Sequence, residues 1–410
     1  MFGIEARRLL IWSVLLATLT GYAIFRPGVW TWLAISGLLA LTLNLAYSKP
    51  AQIRVQRRLS SQSTFQGSTV TITLEVYIDC VVPTLLSLTE TVPLTLIPDR
   101  TVGLTGLFWR SSQHTFEYTV TPNTRGGFVW PNLMLSWSDP LGLFQRNASI
   151  PNPKLETELL VYPGLHALEL PELLRPILSD GPPTRLRGLE DASTFAGTRE
   201  YAHGDPLRRI HWPQTARLGI TNGRFNQIIV RELERVAATG LQIHLDQTGS
   251  GTLGATYLES ATRLAASLSH QAFELGLRVS VSSNIGITEE GSGFAALERA
   301  LAHLALIRVS TEPRFEIPLP AAGTNLILIT MLAPDDLINA AVRTRSRAAQ
   351  VLVIALPEGF YLEPGETGRP MKRALPESIR DLEARSGILE EAGVRVRILR
   401  GDSSVLNLNT

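Results

Sequence analysis

The chain has 410 residues, which suits two or three domains, and its 38 Lys and Arg against 37 Asp and Glu leave a net charge of +1. That balance excludes a global electrostatic case for nucleic-acid binding. The single cysteine, Cys80, excludes an internal disulfide, fits a reducing compartment and reads as a small buried hydrophobe.

In chain order, residues 1–48 read as a two-helix transmembrane hairpin. Leu9 to Phe25 is apolar and free of charge, Arg26-Pro27-Gly28 makes a turn, and Val29 to Tyr47 is apolar again. Each stretch is about 17 to 19 residues long, near the lower limit for crossing a bilayer. Arg7 and Arg8 precede the first stretch; Lys49, Arg54, Arg57 and Arg58 follow the second. The positive-inside rule then predicts a multi-pass protein of the plasma (inner) membrane with its soluble domains in the cytoplasm.

Residues 49–163 read as a β-sandwich-like domain. Thr69 to Tyr77 is rich in β-branched residues and alternates, as does Gln113 to Val120. Prolines and glycines punctuate at sandwich-like intervals, with turns at Arg125-Gly126-Gly127-Phe128 and Asp139-Pro140-Leu141-Gly142. Residues 164–235 open as a linker with Pro171, Pro176, Pro182 and Pro183 and continue into the densest motif of the chain.

That motif runs from Arg199 to Arg217 and holds Arg199, Tyr201, Gly204, Asp205, Arg208, Ile210, Trp212, Thr215, Ala216 and Arg217. Asp205 and Pro206 suit the N-cap and first position of a short helix. The spacing predicts that this helix carries Arg208, Ile210 and Trp212, with Pro213 kinking or ending it. Arg208 and Trp212, four apart, would share a face and stack. Two readings of the motif stand side by side. One is a hydrogen-bonded strut ordering a loop against a sheet; the other is a surface for an anionic ligand or an acidic partner. A metal site from His203, Asp205 and His211 fits no common ligand spacing.

From residue 236 to 410 the rhythm changes to strand–helix alternation. Strands are predicted at Leu241 to Asp246, Leu277 to Ser282, Asn325 to Met331, Gln350 to Leu356 and Val394 to Leu399. Helices are predicted at Ala255 to Leu275, Phe294 to Leu306, from Pro334 onward, and Glu377 to Ala392. Continuous apolar strands alternating with helices predict a mostly parallel sheet covered on both faces, an α/β, Rossmann-like domain. Ligands of such sheets sit at strand carboxyl ends, where this chain has Asp246-Gln247-Thr248-Gly249-Ser250. No P-loop, zinc pattern, dinucleotide glycine motif or Ser-His-Asp order is present, so nothing in the sequence argues for catalysis.

The Arg199–Arg217 run resembles the signature of the domain of unknown function 58 family, matching each position of that pattern. The resemblance extends to Arg125-Gly126, to Asp139-Pro140-Leu141-Gly142-Leu143-Phe144 and to Val161-Tyr162-Pro163. It implies a C-terminal domain similar to von Willebrand factor A domains. In that light Asp246, Thr248 and Ser250 resemble a metal-ion-dependent adhesion site for Mg²⁺ or another divalent cation. The remaining ligands of such a site are missing: Gly291-Ser292-Gly293 offers only Ser292, and Ile329-Thr330-Met331 has no Asp nearer than Asp335 and Asp336. Asp246 therefore also reads as a loop cap. Relatives of this kind accompany MoxR-type AAA+ ATPases. The resemblance thus implies a non-enzymatic, membrane-anchored scaffold or adaptor for protein-complex assembly or stress response, with such an ATPase and the bilayer as partners. A metal-assisted hydrolase using Asp246 with His203 or His211, and an envelope binding protein of reversed topology, are the alternatives from other classes.

Overall fold

The structure is a computed structural model. It describes residues 14–18, 20–22, 28–48, 51–93, 95–99, 102–130, 132–151, 159–166, 168, 189–202, 210–218, 220–221, 224–225, 227–236, 240–363, 365–366 and 375–405. The chain divides into two compact units, residues 1–161 and 162–410.

The first unit begins with helix α1 (Val29–Ala46) and strand β1 (Gln52–Leu59). Then come β2 (Ser63–Phe65), β3 (Val70–Glu90), β4 (Leu96–Pro98), β5 (Gly103–Pro122), β6 (Gly126–Phe128), β7 (Asn132–Ser138), β8 (Gln145–Pro151) and β9 (Leu159–Tyr162).

The fold class expected from the sequence is overturned at its first element. Among the described residues no helix is long and apolar enough to cross a membrane, so the transmembrane hairpin over residues 1–48 is withdrawn. The second apolar stretch does form α1, but its 18 residues rise about 1.5 Å each and span roughly 27 Å, short of the roughly 30 Å hydrocarbon core. Thr31, Ser36, Thr42 and Asn44 also interrupt its apolar run. Its end is tied into the β-unit: Arg146 Nη2 donates to Asn44 Oδ1 at 2.7 Å, the Tyr47 hydroxyl to Pro83 O at 2.7 Å, and Trp137 Nε1 to Tyr47 O at 3.0 Å. Part of the first apolar stretch lies outside the described residues.

The expected sandwich is corrected too. One curled antiparallel sheet, in the order β4-β5-β3-β7-β8 with β1 beside β3, dominates the unit, and a small sheet, β2-β9-β6, accompanies it. Two very long strands explain the curl: β3 has 21 residues and β5 has 20. Their pairing breaks once, where β3 takes four steps from Cys80 to Thr84 while β5 takes two from Arg110 to Phe108. Two extra residues keep the same face inward, because side chains alternate with period two. Val70, Ile72, Leu74, Val76 and Ile78 before the bulge and Leu86 and Leu88 after it are all buried. Arg110, at φ 70°, takes a left-handed conformation at the kink.

The second unit carries β10 (Leu189–Glu200), helix α2 (Trp212–Arg217), the short pair β11 (Ile220–Thr221) and β12 (Arg224–Phe225), and β13 (Ile229–Val236). β10 and β13 pair antiparallel. Next come β14 (Gly240–Leu245), α3 (Gly251–Glu274), β15 (Arg278–Ser283), β16 (Gly286–Ile287), α4 (Phe294–Leu306), β17 (Thr324–Thr330), α5 (Asp335–Thr344), β18 (Val351–Ala355), α6 (Glu377–Ala384), α7 (Ser386–Glu391) and β19 (Val394–Ile398). Their sheet has the order β16-β15-β14-β17-β18-β19, parallel except for the edge strand β16. Strand order reverses between β14 and β17, the point at which doubly wound sheets place their ligands.

One face of that sheet is apolar over β17 and β18, where Leu326, Leu328, Val351 and Val353 pack on Leu337, Ile338 and Ala341 of α5. Toward β14 it turns polar with His244, buried to 1% exposure, whose Nδ1 shares a 3.0 Å hydrogen bond with Ser282 Oγ. Burial drives the His244 pKa from 6.5 down to about 4. The unfolded chain therefore binds a proton that the folded unit refuses. This contribution is complete above the unfolded pKa and is lost as pH falls through the folded one. We expect the second unit to lose thermal stability between pH 6.5 and about 4, and the His244→Gln protein to show a flatter profile over that window. Melting curves against pH check it.

Candidate functional site

The signature region is built around the start of β13. On one side Arg199 and Glu200 of β10 pair with Val230 and Ile229, and Tyr201 N–H donates to Ile228 O at 2.8 Å. On the other side Ile210 bridges Val230, and His211 N–H donates to Ile229 O at 2.7 Å. The described stretches on either side of residues 203–209 thus meet opposite edges of one strand. Gly204, Asp205 and Arg208 lie between them, outside the described residues, as does His203.

Helix α2 does not include Ile210; it begins at Trp212. The His211 Nδ1 accepts from Gln214 N–H at 3.2 Å and caps the helix, with Pro213 in the first turn. This corrects the expectation that Pro213 kinks or ends a helix. A proline is tolerated in a first turn because no N–H is required there. Thr215 fixes the helix to the strand: its hydroxyl is fully buried and accepts the Ile229 N–H at 3.1 Å. Trp212 stays 55% exposed, and Ala216 and Arg217 are exposed beside it. Arg199 is half-buried, with its Nη1 donating to Glu200 O at 3.0 Å.

The second candidate lies at the carboxyl end of β14. Asp246 is 2% exposed, and both of its carboxylate oxygens are occupied. Oδ1 accepts the Thr248 N–H at 2.9 Å, and Oδ2 accepts the Thr330 hydroxyl at 2.8 Å. The Thr330 hydroxyl in turn accepts the Ala333 N–H at 3.1 Å. The Tyr257 hydroxyl donates to Asp246 O at 2.7 Å. Burial, and then the Asp246 charge, push that hydroxyl well above its usual range, so it stays a donor. Gly249 meets Gly254 so closely that a side chain on Gly249 would put its Cβ 2.9 Å from Gly254 Cα. Thr248 bridges Ser310, and Ser250 is exposed ahead of α3 with no capping bond from its side chain.

A hard ion needs several oxygen ligands, whereas this loop offers one carboxylate whose oxygens already serve a backbone amide and a hydroxyl. Among the described residues no three His, Cys, Asp or Glu gather as a ligand set. Asp246, Thr330 and Tyr257 together fasten the loop at the strand switch. Sequence reasoning missed Thr330 and Tyr257; a hydroxyl closing an otherwise apolar strand was the available signal.

Fold and site together define a class: a chain with a curled antiparallel unit and a doubly wound α/β unit, in which the described parts of the signature, Arg199 to Tyr201 and Ile210 to His211, are held on β13. Residues 197–354 match the family model described as "Protein of unknown function DUF58", which supports the chain's place in that family. No curated protein matches the chain. Among solved structures, the crystal structure of a GH20 exo-β-N-acetylglucosaminidase from Vibrio harveyi in complex with N-acetylglucosamine is similar at 10% identity. The likeness covers 84% of this chain and 67% of that one with a TM-score of 0.19, and it carries no argument about fold or activity.

Proposed function

We propose that the chain is a scaffold or adaptor that binds a partner protein through the signature surface on α2. The reading takes the partner to be a MoxR-type AAA+ ATPase and the work to be protein-complex assembly or a stress response. The observation that carries it is the contrast within one short helix. Thr215 and the neighbouring Ile210 are buried and hold α2 on β13, while Trp212 and Arg217 face outward. Tryptophan and arginine dominate the energetics of protein interfaces, and a rigid platform lowers the entropy cost of presenting them. A von Willebrand factor A-like character for the second unit is part of the same proposal, supported by its strand order and its Asp-x-Thr-x-Ser loop. The proposal needs neither a metal at Asp246 nor a membrane anchor.

Co-purification tests it. Tagged full-length chain captured from its own cells should bring down an AAA+ ATPase of this type, and the Trp212→Ala/Arg217→Glu protein should bring down about tenfold less. Undiminished capture by that variant, or no ATPase with either protein, overturns the reading.

A further inference from the structure

At the edge of the second unit's sheet a groove of about 790 Å³ runs between the β15–β16 turn, the segment 314–319 and the far end of α5. Asn284 is among the residues that line it. Ile285, Ile287 and Leu319 line the groove and remain 60%, 49% and 56% exposed. Arg314 and Arg343 also line it, against the single acid Glu316. The Arg314 Nη1 donates to Asn284 O at 3.0 Å, and neither arginine belongs to an ion pair among the described residues. Beside the groove, β16 pairs only with β15, so its outer side is a free strand edge among the described residues.

We propose that this groove takes an extended segment of a partner protein in which apolar and acidic side chains alternate. An extended backbone suits the unpaired edge of β16. Apolar side chains cover Ile285, Ile287 and Leu319, and a carboxylate meets the excess positive charge of Arg314 and Arg343. The proposal rests on the adaptor reading in that it supplies a surface on which such a chain would hold a client, separate from Trp212.

The test is fluorescence anisotropy with purified full-length chain and no other protein. The probes are a fluorescein-labelled octapeptide of alternating leucine and glutamate and its counterpart of alternating leucine and lysine. The acidic peptide should bind about tenfold more tightly. Arg314→Glu/Arg343→Glu should reverse that preference, and Leu319→Ser should weaken binding of both peptides. Trp212→Ala/Arg217→Glu should leave both affinities unchanged, so failure of the ATPase contact and failure of the groove are read separately. Equal affinity for the two peptides, a preference indifferent to the arginine variant, or no saturable binding overturns the proposal.

Discussion

Replacing Glu90 with alanine lowers the stability of the first unit by about 3 to 5 kcal/mol, the range for removing one partner of a buried pair. The Glu90 side chain is inaccessible to solvent and Arg57 is nearly so. Arg57 Nε donates to Glu90 Oε1 at 2.8 Å, and Arg57 Nη2 is paired with the same oxygen. The Tyr118 hydroxyl donates to Oε2 at 2.6 Å. Burial first, then the Glu90 charge, raise the Tyr118 pKa far above its ordinary value, so the hydroxyl stays protonated and committed to that bond. The Arg57 guanidinium lies 5.4 Å from the centre of the fully buried Trp130 ring. Alanine strips the guanidinium of its counter-charge inside the sheet, where water cannot replace it. Urea unfolding followed by tryptophan fluorescence measures the loss. Glu90→Gln, which keeps one of the two acceptor oxygens without charge, should recover part of it. A Glu90→Ala protein within about 1 kcal/mol of the parent would mean that the pair contributes little.

Asp246→Ala should cost the second unit about 3 kcal/mol, through the loss of two hydrogen bonds to a charged acceptor and the exposure of a buried hydroxyl to an apolar gap. The effect extends beyond the pair. Thr330 accepts the amide of Ala333, and Ala333 sits at φ 46°, a left-handed conformation that alanine adopts only under constraint. Without Asp246 to orient Thr330, the turn after β17 loses its anchor. Asp246→Asn, which retains an acceptor for Thr248, should cost about half as much. Thermal melts with and without Mg²⁺ separate this role from metal binding. The structural role predicts the same loss in both, whereas a parent protein stabilised by Mg²⁺ and an alanine variant indifferent to it would restore the metal reading.

The second unit was legible in the sequence at the level of its elements. The strand read at Leu241 to Asp246 is observed as Gly240–Leu245, and the helix read at Phe294 to Leu306 has those bounds. Apolar runs of β-branched residues between amphipathic segments report locally what they do, because burial on both faces requires them. The first unit was less legible. Turn residues suggested many short strands, yet the ladder of β3 and β5 runs through the kink at Pro83 and Arg110, since a bulge of two extra residues preserves the inward face. The hairpin reading failed for a related reason. Hydropathy alone cannot register that α1 falls about half a turn short and that Asn44 and Tyr47 are claimed by the β-unit.

At the candidate site the motif marked the right stretch but not its geometry. Asp205 and Pro206 offered a strong local helix start. Ile210 instead joins β13, a partner some twenty residues away in sequence, and non-local pairing leaves no local trace. The Asp-x-Thr-x-Ser pattern found the strand end, while the residue that satisfies Asp246, Thr330, comes from a different strand. Only folding brings the two together.

The measurement that bears most directly on the account is the affinity of purified full-length chain for a purified MoxR-type ATPase by calorimetry, with and without chelator. Saturable binding that is unchanged by chelator and by Asp246→Asn, and about tenfold or more weaker with Trp212→Ala/Arg217→Glu, is the predicted result. Binding that ignores the α2 variant, or that disappears with chelator and with Asp246→Asn, would contradict it and move the contact to the strand end.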